Sequence, residues 1–130
     1  MIGVDTTAII DLFKQDEKLI NWIENNKQPL ITNDVTYLEL CAGLNPDRKA
    51  HQQEEQFYDE IYGACTNYPL TKQAAKKARE LIWKLKGQGI TLSLLDATIA
   101  SIYLTNGVNK ILTKNHKHFT DIPGLEVITY

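Results

Sequence analysis

The sequence predicts an α/β fold in which helices cover both faces of a mainly parallel sheet. Two observations predict it. Short apolar runs recur along the chain at 2–4, 29–32, 66–70, 108–113 and 125–128, and segments with helical spacing of apolar residues lie between most of them. Parallel strands need a crossover connection, so strands that alternate with helices are typical of such sheets. A length of 130 residues fits one domain over 1–130.

The first half of the chain is expected to open with a strand, Ile2–Val4. Asp5-Thr6-Thr7 suits a helix start before the apolar residues of 8–13, and a second helical stretch covers 19–23. A buried strand at 29–32 is followed by a helix that Asn33 or Asp34 can cap and that Gly43 ends. A polar helix is predicted at about 50–62.

The second half contains the clearest helix, at 71–87. It is predicted from residues at helical spacing: Ala74, Ala78, Leu81, Ile82 and Leu85. Another helix surrounds Asp96 and ends near Asn106-Gly107. The runs 66–70, 108–113 and 125–128 complete the set of strands, the last one after a Pro123-Gly124 turn.

Charge and cysteine content limit the function classes. A net charge of −2 argues against binding nucleic acid through bulk charge, although a local basic surface stays compatible with it. Cys41 and Cys65 fit no metal or redox spacing, which favours reduced thiols in a cytoplasmic protein. Neither a signal peptide nor a membrane span is expected, because polar residues interrupt each apolar run.

Asp96 is the most unusual residue of the sequence. It lies in "ITLSLLDATIASIYL", and no other residue between Lys86 and Lys110 is formally charged. A carboxylate in apolar surroundings is costly unless it is paired, neutralised or bound to a metal. Asp96 therefore needs a partner, unless it only caps its helix from the turn at 93–95.

Other polar residues fall where the strands end. Asp5 follows the first strand, Glu39 lies in the helix after the second, and Thr113 and Asn115 end the fourth. Ligands of open α/β sheets bind at the carboxyl ends of the strands. Together with Asp96, the acids could form a divalent-cation site, for which oxygen ligands suit Mg²⁺ or Mn²⁺. Each has a simpler interpretation: Asp5 as a helix cap and Glu39 as a solvated helix residue.

Two further groups are considered beside these acids. Asp11 is expected to be solvated or in a turn, and the His116-Lys117-His118 run could bind metal or be exposed.

Five segments together resemble the PIN-domain family, of the small bacterial and archaeal VapC toxin type. They are "VDTTAIIDLF", "VTYLELCAG", "LLDATIAS", "ILTKNHKHF" and "IPGLEV", which keep the family's order and spacing over essentially the whole chain. The family's polar positions match Asp5, Glu39, Asp96 and Asn115 here. Departures are Thr7 in place of Asn or Ser, His118 in place of an aspartate before the phenylalanine, and Leu94 in place of an extra acid.

The resemblance implies a three-layer α/β/α sandwich with a central sheet of about five strands. It also implies a Mg²⁺- or Mn²⁺-dependent endoribonuclease, the toxin of a toxin–antitoxin pair, with RNA as substrate, a cognate antitoxin as partner and a homodimer as assembly. The metal ligands would be Asp5, Asp96 and Glu39, with Asn115 completing the catalytic set. Supporting roles would fall to Thr6, Thr113 and Lys114, while His118 either joins the site or points to solvent.

Two alternatives stay open at this point. One is another metal-dependent phosphoryl-transfer enzyme, although the "VDTT" start lacks the second aspartate that haloacid-dehalogenase-type phosphatases use. The other is a PIN-like domain that binds RNA or protein without cutting.

Overall fold

A computed structural model describes all 130 residues. Five strands form one sheet in the order β3-β2-β1-β4-β5, and every pair of neighbours is parallel. The strands are β1 (Ile2–Val4), β2 (Leu30–Asn33), β3 (Thr66–Tyr68), β4 (Lys110–Leu112) and β5 (Glu126–Ile128). The predicted parallel five-stranded sheet is confirmed.

Six helices form the outer layers. They are α1 (Thr6–Phe13), α2 (Glu17–Glu24), α3 (Asp34–Ala42), α4 (Lys49–Ala64), α5 (Lys72–Lys86) and α6 (Leu94–Thr105). One apolar core joins α1, α2 and α4 to the sheet, and a second joins α5 and α6 to it. The sheet contributes side chains to both cores because successive strand residues point to opposite faces. Leu112 belongs to the first core and the neighbouring Ile111 to the second. This is the expected three-layer sandwich.

Two strands are shorter than expected by two residues or more, and β5 by one. β3 ends at Tyr68 because Pro69 has no N–H for the ladder. β4 begins only at Lys110, because the Val108 N–H bonds back to the Tyr103 carbonyl and closes the end of α6. The cap of α3 is Asn33, whose Oδ1 accepts from the Thr36 N–H, and not Asp34.

Tyr103 fixes α6 on the sheet. Its ring lies against Gly3 of β1, where a Cβ atom would come within 2.5 Å of the ring. Its buried hydroxyl accepts from Asn33 Nδ2 at 2.8 Å and lies 3.0 Å from the Ile31 carbonyl oxygen. One side chain thereby joins β1, β2 and α6, and so sets the position of α6 relative to the strand ends.

The strand order reverses between β1 and β4. From β1 the chain adds β2 and β3 on one side and then returns to add β4 and β5 on the other. The two connections leave a crevice at the carboxyl ends of β1 and β4, which is where open α/β sheets bind ligands. None of the six helices is long and apolar enough to span a membrane.

Candidate functional site

A pocket of about 320 Å³ opens at this crevice, and we call it the acid pocket. Three carboxylates line it and no lysine or arginine does, so its charge is negative. Its lining residues are Asp5, Thr6, Thr7, Glu39, Ser93, Leu95, Asp96, Ile99, Asn115 and His118. The structure therefore brings together the four residues that the sequence singled out, from four separate segments of the chain.

Asp5 is the most buried of the three acids, with only 4% of its surface exposed. Its Oδ1 accepts from the Ala8 N–H at 3.0 Å and the Thr7 hydroxyl at 2.8 Å, and its Oδ2 accepts from the Thr113 hydroxyl at 2.6 Å. Burial raises the pKa of this carboxyl; the donors, Thr113 first, oppose the rise, and the nearby Asp96 adds to it. Asp5 caps α1 and lines the pocket, so the simpler interpretation as a cap is true but incomplete.

Glu39 reaches the pocket from the second turn of α3. Its Oε1 accepts from the Thr6 hydroxyl at 2.8 Å, a bond that ties α3 to the start of α1. Glu39 is half-buried, so it is not the fully solvated helix residue of the simpler interpretation. Thr6 thus contacts one of the pocket acids, Glu39, which is the position that its expected supporting role requires.

Asp96 lies in the first turn of α6, but it does not cap the helix. Ser93 does, since its Oγ accepts from the Asp96 N–H at 3.1 Å. The Asp96 side chain is 22% exposed, and its Oδ2 lies 3.2 Å from His118 Nδ1. His118 is therefore at the site, although its side chain stays 53% exposed. His116 does not line the pocket.

The end of β4 supplies the last part of the pocket. The fully buried Thr113 hydroxyl bonds Asp5 and accepts from the Asn115 N–H at 2.9 Å. Asn115 is exposed and lines the pocket, and its side-chain amide makes no hydrogen bond within the protein.

Lys114 lies next to the acid pocket and not in it, so its expected supporting role stays a prediction. Its side chain does not line the acid pocket, because Nζ lies 3.7 Å from Asp11 Oδ2 on the neighbouring surface. Asp11 was expected to be solvated, but it is buried and accepts from the Tyr130 hydroxyl at 2.6 Å. A buried carboxylate attracts the nearest cation, which here is Lys114.

The residues present fit a hard divalent cation. All three carboxylates offer oxygen ligands to a pocket without a competing cation, and burial already disfavours the charged form of Asp5. No three acidic, histidine or cysteine side chains lie close enough together in this structure to hold a metal ion by themselves, so water would have to supply the remaining ligands of a cation.

Two polar residues of the site, Thr7 and Ser93, were not predicted to belong to it. Thr7 holds Asp5 and accepts from the Lys114 N–H at 3.2 Å, and Ser93 caps α6 beside Asp96. Ser93 had a local signal, since a serine three residues before an acid is typical of a helix start. The bond from Thr7 to Asp5 is local, two residues apart, but the contact with Lys114 joins residues 107 positions apart and has no local signal.

Comparison with known families now places this geometry. The family model described as PIN domain matches residues 2–125. The chain belongs to the PIN domain family. A curated relative, Ribonuclease VapC of Rickettsia bellii, is 30% identical over 128 residues, which cover 97% of this chain and 93% of the relative.

Solved structures of VapBC and VapC proteins share the fold. The VapBC2 complex of Rickettsia felis bound to a promoter DNA fragment superimposes with a TM-score of 0.82 at 21% identity, covering 100% of this chain and 99% of the other. VapC20 of Mycobacterium tuberculosis, a sarcin-ricin loop cleaving toxin, gives 0.70 at 14% identity, covering 96% and 98%. At these identities the likeness supports the fold alone.

Proposed function

We propose that this PIN domain is an endoribonuclease that depends on Mg²⁺ or Mn²⁺ and acts as the toxin of a toxin–antitoxin pair. One observation carries the proposal. Asp5, Glu39 and Asp96 line a single pocket at the strand-order reversal, in a chain 30% identical to a ribonuclease. Neither the phosphatase interpretation nor the non-cleaving one has a specific observation in its favour.

Asp5 and Asp96 would hold the cation, with Glu39 binding it directly or through water. When bound, the cation would supply a Lewis acid for a phosphate oxygen and lower the pKa of a bound water. The hydroxyl groups of the chain orient the carboxylates that would bind the cation. Thr113 and Thr7 fix both oxygens of Asp5, and Thr6 fixes one oxygen of Glu39.

The remaining polar groups would act on water and phosphate. His118 contacts Asp96 Oδ2 and leaves Oδ1 without a bond in the protein. Asn115 presents an unpaired amide that can orient a water or a phosphate oxygen. Ile99 and Leu95 supply the apolar wall of the pocket.

The proposal is tested by cleavage of a labelled structured RNA with Mg²⁺, with Mn²⁺ and with EDTA. D5N, E39Q and D96N should each nearly abolish cleavage, and the triple variant should be little worse, because residues that form one metal site act as a unit. E60Q, at an exposed position on α4, is the matched control and should cleave normally. Undiminished cleavage in EDTA or by D96N would contradict the proposal. Mn²⁺ binding without RNA cleavage would favour the non-cleaving interpretation.

An antitoxin would cover the acid pocket. A negative pocket without its own cation attracts an arginine or lysine of a partner, whose charge takes the place of the metal's. Coexpression with the product of a neighbouring short gene should give a stable complex that binds Mn²⁺ more weakly than the free chain does. Full metal affinity in the complex would count against it. The expected homodimer stays a prediction, which light scattering would check.

A further inference from the structure

A basic stripe runs along the outer face of α5. Positions 72, 76, 79, 83 and 86 follow helical spacing, so they share one side of the helix. They are Lys72, Lys76, Arg79, Trp83 and Lys86, all exposed, and we call them the α5 stripe. The opposite side of α5 is buried in the core, so the stripe faces solvent along about 21 Å of helix.

The cations of the α5 stripe have no acidic partners. The only ion pair on α5 joins Lys77 to Glu80, and neither residue belongs to the stripe. Lys86 Nζ lies 4.7 Å from the centre of the Trp83 ring, and Trp83 is 64% exposed. The stripe therefore presents four positive charges that form no ion pair, with one exposed acid, Glu80, beside them and one exposed aromatic ring among them, in a chain whose net charge is −2.

The geometry points to the α5 stripe as a binding surface for single-stranded RNA, which holds the substrate beside the acid pocket. Cations that contact phosphates, with an aromatic ring on which a base stacks, are the combination that binds single strands. The inference rests on the proposed function and deepens it. The acid pocket is lined by three carboxylates and repels phosphates, so the attraction that captures RNA has to come from another surface.

The α5 stripe also leads toward the acid pocket. Its Lys86 end is followed by the loop 87–93, which connects directly to α6 and Asp96. A second pocket lies beside this loop, reaches from Leu85 to Lys117, and shares Ser93, Asp96 and His118 with the acid pocket. This second pocket holds one cation, Lys117, and two acids, Asp96 and Asp121, so a strand leaving the stripe gains one further positive contact on its way to the acid pocket.

RNA is favoured over the other occupants of a basic surface. An acidic peptide would be attracted by the same charges, but it gains nothing specific from a tryptophan placed among them. A second copy of the chain could offer the acidic side chains of α4, such as Glu55 and Glu60. The test below distinguishes RNA from an acidic peptide and from a second copy of the chain.

The test measures binding of a labelled single-stranded RNA by the full chain in EDTA, where cleavage is absent, over a range of salt. The salt slope is the slope of log K against log salt concentration, and each phosphate contact on a single strand contributes about 0.7 to it. K76A/R79A removes two contacts and should therefore reduce the slope by ~1.4, which corresponds to about 25-fold weaker binding at 0.1 M salt. W83A should bind about 5- to 150-fold more weakly at an unchanged salt slope, and W83F should retain most of the affinity.

Matched controls lie in other segments of the chain, in the loop before β2, at the start of α4 and in α2. K27A/R48A removes the same two charges at exposed, unpaired positions, and W22F replaces the second tryptophan. Both should bind as the wild type does. RNA should quench the fluorescence of W22F, whose remaining tryptophan is Trp83, more than that of W83F.

The outcomes separate this inference from the proposed function. Equal loss of affinity in K76A/R79A and K27A/R48A, or no measurable RNA binding by the wild type at low salt, would overturn the RNA surface. Displacement of RNA by poly-glutamate at equal charge, or a change of oligomeric state in K76A/R79A with RNA affinity unchanged, would also overturn it and assign the stripe to a protein. Each of these results leaves the metal-dependent cleavage test standing.

Discussion

Replacing Thr113 with valine should destabilise the metal-free protein by ~2–4 kcal/mol. The Thr113 hydroxyl is fully buried, donates to Asp5 Oδ2 at 2.6 Å and accepts from the Asn115 N–H at 2.9 Å. A hydrogen bond to a charged group contributes ~1.5–3 kcal/mol and a neutral one ~0.5–1.5 kcal/mol. Thr113→Val removes both and keeps the shape of the side chain, so the loss isolates the hydroxyl.

The matched control is Thr113→Ser, which keeps the hydroxyl and loses one methyl group, at a cost of about 0.8 kcal/mol. Urea unfolding in EDTA at neutral pH should therefore rank the wild type first, Thr113→Ser second and Thr113→Val last.

The pH dependence provides a second readout. Burial has already raised the native pKa of Asp5, and loss of the Thr113 donor raises it further. The excess penalty of Thr113→Val is present while Asp5 is ionised, and it disappears as the pH falls through that raised pKa toward the unfolded value. Equal stability of the serine and valine variants, or a gap that does not change with pH, would refute the assignment of Thr113 as the support of an ionised Asp5.

Three further predictions concern the acids and the sheet. Mn²⁺ at a hundredfold excess over its Kd should stabilise the wild type by ~2.7 kcal/mol, and Asp96→Asn should lose this shift in a melting experiment; an unchanged shift would remove Asp96 from the site. Asp5→Asn should flatten the decline in metal-free stability that occurs as the pH rises through the native pKa of Asp5; a curve parallel to that of the wild type would show that Asp5 does not cause it. Gly3→Ala should cost ~1–3 kcal/mol in urea unfolding, because its Cβ would lie 2.5 Å from the Tyr103 ring, and Gly3→Ala combined with Tyr103→Phe should not recover it, since the ring remains.

The sequence predicted the parts of this protein that local signals encode. Helical spacing predicted α5, and the polar residues that follow the apolar runs predicted Asp5, Thr113 and Asn115 as neighbours at one edge of the sheet. The position of Asp96 in an apolar segment predicted a partnered carboxylate, and the structure places it beside His118.

The parts that were missed depend on contacts between distant segments. No residue pattern near Asp11 predicts that it is buried, because its hydrogen-bond partner Tyr130 lies 119 residues further along the chain. Lys114 contacts the same acid, Asp11, so its position next to Thr113 in the sequence does not place its side chain in the acid pocket. The packing of Tyr103 on Gly3 is equally invisible in a sequence, because it needs the register of α6 against β1.

The distance along the chain between Asp5 and Thr113 has a consequence for synthesis. The bond that orders Asp5 joins residues 108 positions apart, and β4 pairs directly with β1. A nascent chain therefore cannot assemble the acid pocket until β4 has left the ribosome. Fragments that end before β4 lack the pocket. Under the proposed function, the chain becomes toxic only after β4 has been made, which leaves an antitoxin that period of translation in which to accumulate.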